Sequence, residues 1–493
     1  MINPRSHAPT TGQAGYLIIH TIVFGAIAVL LLTALVSWGG TNVRAGRDAT
    51  LREQAFQIAE SGIDYYRWHL AHAPTDYQDG TLLPGPYTHE YYDRDGTIIG
   101  HFELTITPPP AGSTVVTVVS KGTVLANASI ARRIEATFAI PSITQFAVLA
   151  NSKIRFGVGT EVYGPIHSND GIRFDGLTHN IVTSAKYAYD DPDHSGADEY
   201  GVHTHITPTD PFPAMPPLPP SVPPSRLDVF QSGRALAVPA VDFNGFTQDL
   251  AQIKTDAQAS GRYFAGSGTL GYNVVLKVDD TFDLYTVTAL TNPLPSCNNS
   301  LGQDGWGTWS IASQEFVGNY TFPANGLIFI EDNVWVEGVI QSARLTIAAG
   351  RFPENPATNA NITINKDILY TYYDGQDVLG LIAQKNVNIG LISEDDLRID
   401  AALVAKNGRV GRYYYRPPTS QGQGGQACQE WNTRAMITTY GMIATNQRYG
   451  FSYTDSTGYQ IRNIIYDGNL LYSPPPSFPL TSDQYITISW REL

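Results

Sequence analysis

The chain has 493 residues with 31 basic and 45 acidic side chains, a net charge of -14, and only 15% charged residues. An acidic balance with no long basic run excludes the electrostatic footprint of a nucleic-acid binder, and the length allows roughly two to four domains. Gly 45, Pro 32 and Tyr 28 against so few charges point to a turn-rich, β-rich exterior protein.

From Tyr16 to Val36 there is no Lys, Arg, Asp or Glu. At about 1.5 Å per residue this run crosses a hydrocarbon layer of about 30 Å as a helix. It exceeds the apolar core of a cleavable secretory signal, about 7 to 15 residues, so the span is expected to be retained. Arg5 before it and Arg44, Arg47 and Arg52 after it would by themselves place the following mass in the cytoplasm. Beyond Trp38, residues Leu51, Ala55, Ile58, Gly62, Tyr66 and Leu70 recur at helical spacing on one side, and Pro74 supplies a stop. The predicted helix with its amphipathic continuation covers 16–75.

A short polar leader ending in Gly15, an apolar helix starting at Tyr16 and an amphipathic continuation carrying "AFQIAESGI" together resemble the minor pilins and pilin-like assembly proteins of type IV pili. The resemblance covers about residues 12 to 72. It implies a leader over 1–15, cut between Gly15 and Tyr16, and a helix that packs with other pilin subunits through the pilus assembly machinery, with His20, Phe56 and Glu60 on the assembly helix. The family carries Glu at the fifth mature position, where this chain has His20. A histidine does not supply the carboxylate that would meet a neighbour's amino terminus in the membrane. That departure points to a tip, initiating or membrane-retained role rather than a fibre-body one. Membrane, cell-surface and pilus placement follow from the same resemblance.

Residues 80–142 alternate apolar and polar side chains, as at Phe102, Leu104 and Ile106, and predict an antiparallel sheet exposed on one face. Such a sheet on a helix is the pilin-like head. From 143–206, and again over 246–493, short β-rich pieces such as "NGLIFIEDNVWVEGVI" and "LRIDAALVAKNGRV" are separated by Gly and Asn-Gly turns. Pieces one strand long that bury an apolar face only by stacking predict an irregular β-solenoid, with an ordinary sandwich as the alternative. The Pro-dense 207–245 predicts a strap or linker. A helix is expected after it, capped by Asn244 and stopped at Gly261, and the closing "PPPSFPLTSDQ" predicts a C-terminal strap. The fold class is thus mainly β with an N-terminal transmembrane helix.

Several constellations bear on chemistry. Asp191, Asp193 and Ser195 stand at alternate positions before Gly196, like the start of a calcium loop, although Val202 occupies the place of its bidentate Glu. Calcium is the one cofactor this pattern suggests. His203 and His205 in "VHTHI" are a further metal candidate on one strand. Glu394, Asp395, Asp396 and Asp400 in "SEDDLRID" support an alternative, a membrane-tethered enzyme or binding module acting on polysaccharide. Cys297 and Cys428 fit no metal motif; they either form one disulfide or are two separate thiols. Tyrosines in "YTYYDG" and "RYYYRPP" suggest surfaces for a glycan or protein ligand, or packing at strand ends. Nucleophile elbows, P-loops and dinucleotide fingerprints are absent from the sequence. The expected function is therefore structural and adhesive, not enzymatic: a minor-pilin-like component displaying a large β-rich region outside the membrane.

Overall fold

The structure, a computed structural model, describes residues 14–109, 113–142, 144–243, 249–418, 427–478, 480 and 484–493. Most of the leader, residues 1–13, and the expected cap Asn244 lie outside the described residues. The chain divides into two compact units. The first gathers residues up to Pro108, Val116–Phe138 and Thr487–Leu493; the second holds Pro109–Val115 and Ala139–Ile486.

In the first unit a single helix, α1, runs over Ala14–His72, 59 residues without a break. Its C-terminal half buries the expected stripe Leu51, Ala55, Ile58, Gly62, Tyr66 and Leu70, and with it Ala59 and Ile63. The Ala73 amide donates to the His69 carbonyl at 2.8 Å, and Pro74 then ends the helix because its ring cannot continue the ladder.

The buried stripe lies on an antiparallel meander of β1 (Tyr87–Tyr92), β2 (Ile98–Thr107), β3 (Val116–Val124) and β4 (Asn127–Ala139). Between β1 and β2 the Asp93 carboxylate accepts from the amides of Asp95 and Thr97 at 2.9 and 2.8 Å, and Gly96 takes φ +81, the left-handed turn position open to glycine. Helix and sheet meet through small residues. A Cβ on Gly122 of β3 would stand 2.1 Å from the Ala55 carbonyl oxygen and 2.4 Å from the Ala59 nitrogen.

A fifth strand, Ile486–Glu492, joins this sheet beside β4. The stretch "ITISWRE", just beyond the expected strap, alternates and supplies an edge strand to a sheet whose other strands lie more than 340 positions earlier. Residues 473–478 do run as a strap. Within the second unit, Arg344 Nη2 donates to the carbonyls of Ser473 and Pro474 at 3.0 and 2.7 Å, and Thr346 Oγ1 donates to that of Pro476 at 2.6 Å.

The second unit is built on parallel ladders. One of them runs, in spatial order, Arg262–Phe264, Leu327–Ile330, Arg344–Ala349, Val378–Ala383, Asp396–Ala405, Thr433–Thr445, Val148–Ala150, Ile166–Ser168, Val182–Ser184 and Arg234–Ala235. Register places Ile328, Ile347, Leu381, Leu403, Ile443, Val148, Ile166 and Val182 in one aliphatic column, every member fully buried. The opposite face carries Phe329, Ala348, Ile382, Val404, Ala444 and Leu149, packed in a second apolar cluster with Leu250, Ile253 and Ala257 of the second helix, α2 (Asp249–Ser260). Both faces are apolar because both are covered, as parallel sheets require. Gly261 follows α2 directly, its amide donating to Ala257 at 3.0 Å, as the expected stop.

The ladder does not follow chain order: residues 148–184 join the strand at 433–445 rather than the strand at 262. The expectation for the Pro-rich 207–245 is corrected in one respect: it is more than a strap or linker, because Arg234 and Ala235 pair as the terminal strand of the ladder. Its prolines are tied down by Arg234, which donates to Asp210 and to the Pro224 carbonyl. A hairpin meander over Tyr272–Leu276, Thr281–Leu290 and Ile311–Thr321 interrupts the parallel pattern as an antiparallel excursion.

Candidate functional site

Two places on the described chain stand out by their chemistry, one in each unit. The first is the N-terminal half of α1. Residues from Leu17 to Trp38 are exposed throughout, Leu, Ile, Val and Phe side chains included, and the helix is long and apolar enough to cross a membrane. Ordinary soluble surfaces do not leave so large an apolar area uncovered. Gly15 and Tyr16 lie in the first turn of α1, and their side chains are outside what is described. His20 is exposed on this surface, its ring 6.5 Å from that of Phe24.

The other two assembly-helix residues lie further along. Glu60 is exposed. Phe56 is half-buried and meets Trp490 of the C-terminal strand edge-on, ring centroids 6.0 Å apart. Phe56 is thus engaged within its own unit rather than presented whole to a neighbour.

The second place lies on the short strands that follow the first turns of the parallel ladder. Ala188–Tyr189 pairs antiparallel with Glu199–Tyr200, which brings Asp191 back toward Glu199. Val202–His203 lies parallel to Ile172–Phe174, with His203 beside Arg173. The turn and these strands bring Asp191, His194, Glu199, His203 and His205 together. His203 Nε2 lies 3.4 Å from Asp191 Oδ2, His205 Nε2 lies 3.4 Å from Glu199 Oε1, and His194 Nδ1 lies 3.1 Å from the same Glu199 oxygen. The His203 side chain is 0% exposed and that of Glu199 2%. Burial pushes the Asp191 carboxyl up, but the His203 ring, the Asp193 amide and Arg173 act the other way and prevail, so it ends well below the usual carboxylate range. Burial, with Arg173 and His203 nearby, lowers the His205 imidazole.

The calcium set is corrected by this arrangement. Asp191 faces the histidines, whereas Asp193 is paired with Arg448 and, at 3.3 Å, with Arg155, and Ser195 is exposed. Two guanidiniums answer the Asp193 charge, so the three oxygens do not form one cage. Sequence reasoning took His203 and His205 but missed His194 and Glu199. The signal available was His194 inside the acidic loop, nine residues before His203.

The acidic run at Glu394 is likewise absorbed into structure. Asp400 is fully buried within the parallel ladder and accepts from Arg398 Nε at 2.9 Å, Tyr373 Oη at 2.7 Å and the Tyr370 amide at 3.0 Å. Asp395 accepts from the Ala435 amide at 3.0 Å. Glu394 is pushed up by burial and by the adjacent Asp367 carboxylate, while Asp396 opens the strand at 396–405 with an exposed side chain. Of the tyrosines, Tyr370, Tyr413 and Tyr415 are buried, whereas Tyr372 and Tyr373 keep large exposed surfaces.

Cys297 and Cys428 form a disulfide with Cα atoms 4.7 Å apart and 131 positions between them. They lie in a satellite cluster with Leu391, Tyr413 and Tyr415, against Trp306, Trp309 and Trp431. Closing so long a loop restricts the unfolded chain, a contribution of about 2–5 kcal/mol. We expect the Cys297→Ser, Cys428→Ser double variant to unfold at correspondingly lower denaturant, read by tryptophan fluorescence; an unchanged midpoint would show that the bridge adds nothing.

No family model matches the chain, and no curated protein does. Among solved structures it is similar to the competence-associated pilin ComZ from Thermus thermophilus, at 14% identity, with 90% of this chain and 98% of that chain covered and a TM-score of 0.28. At that identity and score the likeness assigns neither fold nor function to this chain.

Proposed function

We propose that this protein is a membrane-anchored, pilin-like display subunit, whose apolar half-helix lies in a bilayer or among sister helices and whose parallel ladders form an irregular β-solenoid carried outside the membrane. One observation supports the reading above the others. The same unbroken helix is bare and apolar over residues 17–38 and packed on an antiparallel sheet over residues 51–70. A helix held firmly at one end by a folded unit, with its free end soluble only in lipid or in a bundle of like helices, is an anchor that also positions what it carries.

In this reading the role is structural, in a type IV pilus or a related secretion fibre, and adhesion falls to the large β-rich unit. His20, in place of an acidic residue, fits a tip, initiating or membrane-retained position. The sugar-cleaving alternative is not favoured, because Asp400, its most buried acid, already accepts three hydrogen bonds from its own neighbours.

The test is fractionation of the native host, followed by alkaline extraction of membranes and by shearing of surface fibres. The expected result is protein that resists alkaline extraction, begins at Tyr16, and is found with sheared fibres or retained in the membrane. Full-length protein recovered in the alkaline supernatant would overturn the anchor.

A further inference from the structure

The histidine–carboxylate cluster of the second unit has no part in anchoring or display, and it contains a physical imbalance. Neither ring nitrogen of the fully buried His203 has a hydrogen-bond partner, and the same holds for Asp191 Oδ2, Glu199 Oε2, His194 Nδ1 and His205 Nε2. Six buried polar atoms within fifteen residues that lack a hydrogen-bond partner among the described residues are costly, since contacts of 3.1–3.6 Å to neighbouring charged groups only partly replace the hydration each group forfeits.

Ion pairing between protonated histidines and the acids does not account for the spacing. Elsewhere in this molecule histidine–carboxylate pairs close to hydrogen-bond distance: His89–Asp79 at 2.6 Å, His179–Glu161 at 2.6 Å and His69–Asp76 at 3.0 Å. In the cluster the nitrogen–oxygen separations stay at 3.1 to 3.4 Å. With metal–ligand bonds of 2.0–2.1 Å, the edge of a coordination tetrahedron is about 3.3 Å. The two contacts at 3.4 Å, His203 to Asp191 and His205 to Glu199, match that edge.

We propose that His194, His203 and His205, with Asp191 and Glu199, bind one divalent transition-metal ion of the zinc class. The donor atoms of Asp191, His203 and His205 lie within 4.8 Å of one another, as do those of His194, Glu199 and His205. His205 belongs to both sets, and a neutral imidazole offers one lone pair, so a single ion is ligated through one set while the remaining histidine and carboxylate stand beside it. Two imidazoles and one carboxylate in either set select a borderline transition ion over calcium or magnesium, which prefer oxygen.

Charge agrees with this assignment. The carboxylates of Asp191 and Glu199 balance a dication, and the nearby Arg173 is shared between Asp175, Nε to Oδ2 at 2.7 Å, and Asp191, Nη1 to Oδ2 at 3.6 Å. The support is built in as well. The His205 amide donates to Asp175 Oδ1 at 2.9 Å and the Thr204 amide to Asp210 Oδ2 at 3.0 Å, which fixes the backbone that carries the two histidines. His194 and His205 remain partly exposed, at 35% and 15%, and leave a route for the ion.

The test uses the full chain in detergent, purified without a histidine tag, stripped with chelator and titrated with zinc sulfate or cobalt chloride. The expected result is one equivalent of zinc by elemental analysis, visible absorption bands on cobalt loading, and a rise in Tm with either ion. His205→Gln and Glu199→Gln, both conservative in size, are each expected to weaken zinc binding by on the order of 100-fold with the circular dichroism spectrum unchanged. If the buried His203→Ala variant fails to fold, these two still decide the matter. Zinc at background in the wild-type chain, affinity equal in both variants, two equivalents per chain, or a response to calcium alone would overturn the proposal.

Discussion

A Gly122→Val chain is expected to lose the packing of α1 on its sheet. The Cβ that any other residue adds at this position meets main-chain atoms of the helix, the Ala55 carbonyl oxygen at 2.1 Å and the Ala59 nitrogen at 2.4 Å. A side-chain rotamer cannot relieve a clash with backbone, so helix and strand must separate. Forced overpacking ordinarily costs about 1–3 kcal/mol; with rigid atoms on both sides the upper end or beyond is expected here. The same seam is tight at Gly62, where an added Cβ would stand 2.3 Å from Ser120 Oγ. The Phe102 ring also stands 2.9 Å away, but both neighbours are side chains that can shift where main chain cannot, so Gly62→Ala is expected to cost less than Gly122→Val. The measurement is proteolysis and amide exchange of residues 51–70 in detergent: rapid exchange of the Ile58 and Tyr66 amides in Gly122→Val supports the seam, and native protection refutes it.

Replacing Arg412 is the second large effect. The side chain is completely buried with no carboxylate among the described residues hydrogen-bonded to it. Its guanidinium instead donates to the Gly390 carbonyl, to Ser393 Oγ at 2.8 Å, to the Leu391 carbonyl at 2.8 Å and to the Trp431 carbonyl at 2.6 Å, and it stacks 4.8 Å over the Tyr415 ring. Burial lowers its pKa, yet a guanidinium stays protonated in proteins. One planar fork therefore holds two loops, 390–393 and the segment at Trp431, against the end of the strand at 410–412. Arg412→Met leaves those acceptors without donors, a loss of about 3–5 kcal/mol. Arg412→Lys is expected to rescue little, because an ammonium lacks the fork that reaches acceptors on two sides. Denaturation followed by the fluorescence of Trp306, Trp309 and Trp431 checks this, and a midpoint within error of wild type for Arg412→Met would refute it.

These two positions also show what was legible in the residues. The stripe Leu51, Ala55, Ile58, Gly62, Tyr66 and Leu70 is a local pattern, set by the helical repeat, and every member is buried in the structure. Gly122, by contrast, reads in the sequence only as a glycine inside a strand pattern; the reason for it is a helix sixty positions away. Arg412 reads as one more arginine in "RYYYRPP", and nothing local marks it as buried. The metal candidate divides in the same way. His203 and His205 share a strand-like pattern visible in the chain, whereas His194 and Glu199 enter only because two short strands pair back to back.

The sequence by itself determined the charge-free helix, its amphipathic continuation and stop, the β-rich character of the rest and the tight turns between short strands, because propensity and periodicity act within a few residues of one another. Tertiary structure alone decided that residues 148–184 stack on the strand at 433–445, that residues 486–492 complete a sheet begun at Tyr87, and that Asp191, His194, Glu199 and His203 gather about His205. Those outcomes depend on which apolar faces find cover and which backbone edges find partners across hundreds of residues. A one-dimensional pattern shows that each face needs a neighbour and does not say which one it takes.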